Sequence, residues 1–129
     1  MKTTFLKAQM AGLVVLLTGN AIWTAVAEAG YFSGGNIWIL WLFPPIAAFL
    51  SACIASHRKM LSGLLVAVYA AALDALWNIF HEEIGIPVDF WGLKGAVIVF
   101  EIMLLNNVIF CTIGAGLGYF ATRNRQQPV

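Results

Sequence analysis

Residues 60–80 read MLSGLLVAVYAAALDALWNIF, and this segment decides the fold class. It contains one charged side chain, that of Asp74. A helix needs about 20 mostly apolar residues to cross the hydrocarbon core of a bilayer, because each residue adds about 1.5 Å to its length. The segment therefore predicts a membrane-spanning helix.

Three further stretches have the same character: Ala8 to Ala27, Ile37 to Ala55, and Gly95 to Phe120. The 129-residue chain is 61% hydrophobic and 10% charged, whereas soluble domains have about 25% charged residues. In lipid the backbone must satisfy its own hydrogen bonds, which favours helices. We therefore predict an all-α membrane protein in which four transmembrane helices form a compact bundle, with residues 1–129 as a single domain.

The distribution of charge predicts the orientation of the chain. If it crosses four times, every basic residue but Lys94 falls on one side: Lys2, Lys7, Arg58, Lys59, Arg123 and Arg125. The acidic residues outside the spans fall on the other: Glu28, Glu82, Glu83 and Asp89. Because Lys and Arg near span ends are retained on the cytoplasmic side, we expect both termini to be cytoplasmic. Short spans around a basic turn are typical of small bacterial inner-membrane proteins, so we expect that location.

The N-terminus allows a second interpretation. Lys2 and Lys7 precede an apolar core at residues 11–17, and Ala25-Val26-Ala27 follows, as in a cleavable secretory signal. Cleavage would leave three spans. We favour an uncleaved first helix, because its apolar character continues through Trp23 to Ala27 and makes it long enough to cross the bilayer.

Two acidic residues, Asp74 and Glu101, lie inside predicted spans. A carboxylate at the centre of a bilayer costs at least about 2.5–3.5 kcal/mol, so such residues are candidates for function. Asp74 lies seven residues before His81, and Glu101 lies seven residues after Lys94. Both are therefore about 10 Å below the same boundary. We expect the two carboxyl groups to form one site, with coupled titrations.

The other helices place polar groups at the same depth. Asn20 and Thr24 belong to the first span, and we expect Pro44-Pro45 to kink the second helix and release backbone carbonyl groups. Asn78 and His81 follow Asp74 at helical spacing. The predicted ion- or solute-binding residues are therefore Asp74, Glu101, Asn78, Asn20, Thr24 and His81.

Small residues mark the predicted helix contacts. On the third helix one stripe contains Gly63, Ala67, Ala70 and Asp74, and the opposite face, which we expect to meet lipid, contains Leu65, Tyr69, Leu76 and Phe80. The fourth helix has one stripe of Glu101, Leu105, Thr112 and Ala115, and another of Asn107, Cys111, Gly114 and Gly118. The last two form GxxxG, a close-approach motif. We predict packing at Gly63, Ala67, Gly114 and Gly118, and expect the stripe not used in the core to bind a second copy or another membrane protein.

Several function classes are disfavoured. The net charge is +1, with no basic face for nucleic acid. The chain has no phosphate-binding glycine loop, GxSxG, HExxH or CxxC motif, so we expect no catalytic residues, cofactor or metal. His81, Glu82 and Glu83 are adjacent, but consecutive side chains on a helix point in different directions, which favours a solvated helix end over a metal site.

Three functional hypotheses follow. The leading one is a non-enzymatic protein that moves protons or a small cationic solute. Two carboxylates in a low dielectric should not both be charged unless a cation or water lies between them. The alternative is an accessory or assembly subunit whose acidic residues pair with a partner's Lys or Arg. The third is an enzyme acting on lipid with Glu101 or His81 as base, for which the sequence offers no nucleophile–base pair.

Overall fold

The computed structural model describes residues 2–28, 41–80 and 92–123. They form α1 (Lys2–Glu28), α2 (Phe43–Ile54), α3 (Lys59–Phe80) and α4 (Gly92–Thr122), with no strand in these ranges. Three of the helices, α1, α3 and α4, are long and apolar enough to cross a membrane. The predicted all-α class is thereby confirmed for the described residues, and three of the helices suit a membrane by length and composition.

The second predicted span is only partly described. α2 has 12 residues, or about 18 Å, against about 30 Å of hydrocarbon. Residues 37–40, which begin the predicted span, lie outside the described residues, as do the segments 29–40 and 81–91 that contain the two longer connections. Four crossings of the membrane therefore stay a prediction.

The helices form a bundle centred on α2 and α3. These two pack against each other, and each also packs against α1 and α4, which lie on opposite sides of the pair. The Oγ1 atom of Thr4 lies 2.8 Å from the Oγ of Ser56, so α1 begins beside the α2–α3 turn. Lys59 Nζ donates to Thr122 Oγ1 at 2.5 Å, which brings the end of α4 there too. We refer to this end of the bundle as the basic end; Lys94 lies at the other.

The interior is built from small residues. The largest fully buried side chain is that of Val66, and its buried neighbours are mainly alanine. A Cβ atom at Gly114 would collide with the carbonyl oxygen of Pro45, and one at Gly118 would lie 2.6 Å from the Phe49 oxygen. The GxxxG motif therefore packs against α2 within the chain. Small residues allow this approach, which stabilises membrane helices through van der Waals contact.

Large apolar side chains cover the outside, the reverse of a soluble domain. On α4 they include Leu105, which is 71% exposed. The predicted stripe that contains Glu101 and Leu105 therefore faces outward. Ala115, which was assigned to the same stripe, is buried. On α3 Leu76 is exposed, but Leu65 and Tyr69 are half-buried. Because α3 has neighbours on three sides, its lipid-facing surface is narrower than the sequence pattern predicted.

The proline pair lies at the start of the described part of the second predicted span. α2 begins at Phe43, so Pro44 and Pro45 occupy its first turn. Backbone N–H groups there have no partner within a helix, so proline is favourable at this position. Both prolines are therefore compatible with the start of α2. The expected kink would involve residues 37–40, which lie outside the described residues, so it stays a prediction.

Candidate functional site

All four helices contribute to one internal cavity, which we call the carboxyl cavity. Its volume is about 60 Å³, room for on the order of two water molecules. Its lining comes from Leu16, Gly19 and Asn20 of α1, from Trp41, Phe43 and Pro44 at the start of α2, from Ala70 and Asp74 of α3, and from Met103 and Asn107 of α4.

Asp74 reaches the cavity because it follows the buried Ala70 by four residues and so shares the inner face of α3. The Asn107 side chain interacts with the Asp74 carboxyl group. The contact does not meet the geometry of a formed hydrogen bond, since Asn107 Nδ2 has no hydrogen-bond partner among the described residues. Asn107 is only 2% exposed. A buried, unpartnered donor costs about 1–3 kcal/mol, which a ligand or water in the cavity would recover.

Asn20 and Thr24 behave differently, although both were predicted as site residues. Asn20 lines the cavity, and its Nδ2 donates to the backbone oxygen of Leu16 at 3.0 Å. The side-chain oxygen of Asn20 can therefore accept a hydrogen bond from a ligand or coordinate a cation. Thr24 is not part of the lining, and its hydroxyl donates to the Asn20 carbonyl at 2.9 Å. The Thr24 hydroxyl therefore hydrogen-bonds within α1 and does not line the cavity.

Glu101 lies elsewhere. It is exposed and lines a separate groove of about 470 Å³ between α3 and α4, together with Ala72, Ala75, Leu76, Ala96, Val97 and Phe100. Glu101 and Asn107 are six positions apart on α4, so their side chains point more than 100° apart around the helix. Within one chain, Asp74 and Glu101 therefore line different spaces.

The remaining predicted site residues are not placed. His81 lies outside the described residues, and so does the side chain of Asn78. Their participation stays a prediction. In the part of the chain that is described, no three His, Cys, Asp or Glu side chains come together as a metal site would require.

Asn107 was placed on a small-residue stripe of the fourth helix and was not among the predicted site residues. The signal that identifies it is its stripe, because Asn107 shares one face with Cys111, Gly114 and Gly118, all buried against the bundle. Because the small residues of this face pack against a neighbouring helix, an amide on the same face lies inside the bundle. Such a position is polar, enclosed and close to the neighbouring helix.

A second polar group, near the basic end, was not predicted at all. Gln9 Nε2 donates to Ser62 Oγ at 2.7 Å and to the Ser62 carbonyl at 3.2 Å, and the hydroxyls of Ser51 and Ser62 are 2.8 Å apart. All three side chains are buried, and together they join α1, α2 and α3. Within this set, only Gln9 Oε1 has no hydrogen-bond partner among the described residues. We call this set the serine cluster.

Comparison of the chain with protein-family models, with curated proteins and with solved structures finds no match.

Proposed function

We propose that this protein moves protons or a small cationic solute across the membrane, using the carboxyl cavity around Asp74. The observation that carries the proposal is a carboxyl group beside an unpartnered buried amide, at a cavity lined by all four helices. Ionisable residues that face the interior of a membrane bundle mark ion and proton pathways. The carboxyl group of Asp74, the oxygen of Asn20 and cavity water supply the oxygen ligands that hard cations prefer.

The position of the cavity suggests a closed resting conformation. Between Asp74 and the serine cluster lies an apolar layer that includes Leu16, Val66 and Ala67. On α3, Asp74 and Ser62 are separated by 12 positions, or about 18 Å. A proton or cation bound at Asp74 would have to pass this layer to reach the basic end. Opening of the layer, through water entry or helix movement, would be the regulated step of transport.

The test is flux in proteoliposomes. Asp74→Asn keeps the size of the side chain and removes its charge, so proton- or cation-driven flux should fall to the level of empty liposomes. A pH-sensitive or ion-sensitive dye trapped in the vesicles measures this flux under an imposed potential. Glu101→Gln, a matched neutralisation outside the cavity, should retain flux. Wild-type flux in Asp74→Asn would refute the proposal.

We also propose that the chain crosses the membrane four times with both termini in the cytoplasm. The interior role of α1 supports an uncleaved first helix, because removal of Gln9 would leave Ser51 and Ser62 without its hydrogen bonds. A reporter active only in the cytoplasm should work after Val129 or at His57 and fail within residues 82–94. The mass of the purified protein would reveal cleavage after Ala27.

A second candidate function is that of an accessory subunit in a larger membrane complex. The groove that contains Glu101 favours it, because a carboxylate facing hydrocarbon is unfavourable and small alanines beside it leave room for another helix. A partner's Lys or Arg at that depth would neutralise the charge. Purification in mild detergent separates the two candidates: a homo-oligomer favours transport, and a defined heteromeric complex lost in Glu101→Gln favours the accessory role.

A further inference from the structure

The basic end carries a groove that the proposed transport does not use. Its volume is about 490 Å³, and it lies between the start of α1, the α2–α3 turn and α3. Phe5, Leu6 and Tyr69 form its apolar wall, and His57 and Arg58 lie at its polar margin. Both margin residues are exposed. Ligand-binding pockets have volumes of about 300–1,000 Å³, so the groove is large enough for part of an amphiphile.

Among the described side chains, no acidic residue lies near the basic residues at this end. Lys7, Arg58, Lys59 and Arg123 all lie there. The carboxyl groups that the structure describes are distant: along α3, Asp74 is about 22 Å from Lys59, and along α4, Glu101 is about 31 Å from Thr122. The buried Lys59 has its Nζ on the Thr122 hydroxyl and not on an acid. The charge of the described residues at this end is therefore positive, and it would attract an anion.

Arg58 also has an unusual backbone conformation. Its φ is 52°, in the left-handed region that glycine adopts most easily. The conformation is held by the start of α3, because the Arg58 carbonyl accepts the Ser62 N–H at 2.9 Å. A residue in this conformation projects its side chain from a fixed point of the turn. Such outliers cluster at sites where a side chain has a function.

We infer that the groove binds one anionic phospholipid. Its phosphate would accept hydrogen bonds from Arg58 and His57, and an acyl chain would lie against Phe5, Leu6 and Tyr69. A cationic margin above an apolar wall suits an amphiphile, whereas free phosphate would leave the wall uncovered. Basic pockets between membrane helices bind anionic headgroups in this way. The surrounding bilayer supplies the ligand.

Native mass spectrometry of the full chain in mild detergent tests the headgroup contact. The chain is titrated with phosphatidylglycerol and with phosphatidylcholine of the same acyl chains. Wild type should retain phosphatidylglycerol preferentially. Arg58→Gly suits the backbone conformation but removes the charge, so it should weaken phosphatidylglycerol retention about fivefold. Arg58→Lys should restore most of it, and Lys94→Gln, a charge loss at the opposite end, should have no effect.

The apolar wall has its own test. Leu6→Trp adds bulk at the groove and should reduce lipid retention, whereas Met10→Trp, one turn away on α1 and outside the groove, should not. Soluble glycerol phosphate should not displace the lipid. The inference is overturned if the two lipids are retained equally, or if Arg58→Gly or Leu6→Trp retains phosphatidylglycerol as well as wild type does. It is also overturned if Arg58→Gly and Lys94→Gln lose equal amounts of lipid. Displacement by glycerol phosphate would overturn it too, because it would indicate a site for a free anion.

Discussion

The bundle contains two buried polar regions that differ in how far their hydrogen bonds are completed. In the serine cluster, Gln9, Ser51 and Ser62 bond to one another and leave a single acceptor without a partner. In the carboxyl cavity, the Asn107 side chain interacts with the Asp74 carboxyl group, but its Nδ2 donor has no hydrogen-bond partner among the described residues. A satisfied network stabilises a helix contact, whereas an unsatisfied one beside a cavity is available to a ligand.

The spacing of the helices explains this difference. Near the serine cluster, Gly12 brings α1 close to α2 and α3: a Cβ there would lie 2.9 Å from Val66 Cγ2 and 3.5 Å from Ser51 Cβ. At the cavity, the Phe43 ring lies against Gly19 and occupies the space between α1 and α2. Phe43 and Gly19 both line the cavity. The two regions are thus specified by packing residues as much as by polar ones.

The largest effect is expected at the close contact of α2 with α4. Gly114→Ala would direct its methyl group into the carbonyl of Pro45, a backbone atom that cannot move without shifting α2. We expect a loss of about 1–3 kcal/mol or more, and little folded protein. Gly116→Ala is the control, because a Cβ there meets nothing within 4 Å. Yield and thermal unfolding in detergent measure both, and equal tolerance would mean that α2 and α4 are not in close contact.

Disruption of the serine cluster should affect stability and leave transport intact. Gln9→Leu removes the bonds from Nε2 to Ser62 Oγ at 2.7 Å and to the Ser62 carbonyl at 3.2 Å. The cost should be about 1–3 kcal/mol, since buried partners are left without a donor. Thermal unfolding measures the loss, and flux per folded molecule should equal that of wild type. The reverse pattern, stable protein with impaired flux, would assign the cluster to the transport path.

The carboxyl cavity should show the opposite response. Asn107→Leu replaces an unpartnered amide by an apolar side chain of similar size, so the free energy of unfolding should be unchanged or higher by up to about 1 kcal/mol. Flux should fall several-fold, because the amide that interacts with Asp74 is lost. Asn106→Leu, the adjacent half-buried asparagine outside the cavity lining, is the matched control. Destabilisation by Asn107→Leu would show that the amide has a structural partner.

The sequence alone predicted the parts of this fold that depend on period and composition. Helix class follows from long apolar segments, and the inner face of α3 follows from the spacing of Gly63, Ala67, Ala70 and Asp74. The depth of Asp74 and Glu101 could also be estimated by counting residues. The direction of Glu101 could not, because it depends on which face of α4 packs against α2. Nor could Gln9 be paired with Ser51 and Ser62, since single polar residues on three helices carry no sign of their partners.

The smallest effect concerns the relation between the two acidic residues. Coupled titration was expected from their common depth, but in one chain they line different spaces, and Glu101 is exposed to the outside of the bundle. Mutations at separate sites usually add within about 0.3–0.5 kcal/mol. The stability changes of Asp74→Asn and Glu101→Gln should therefore sum to that of the double mutant, as measured by thermal unfolding of the monomer in detergent. Non-additivity in the monomer would bring the two carboxyl groups into one network and contradict their separation.

A different outcome is additivity in the monomer with non-additivity in an oligomer. The two residues would then interact only through assembly, which would mean that Glu101 of one copy approaches the cavity of another.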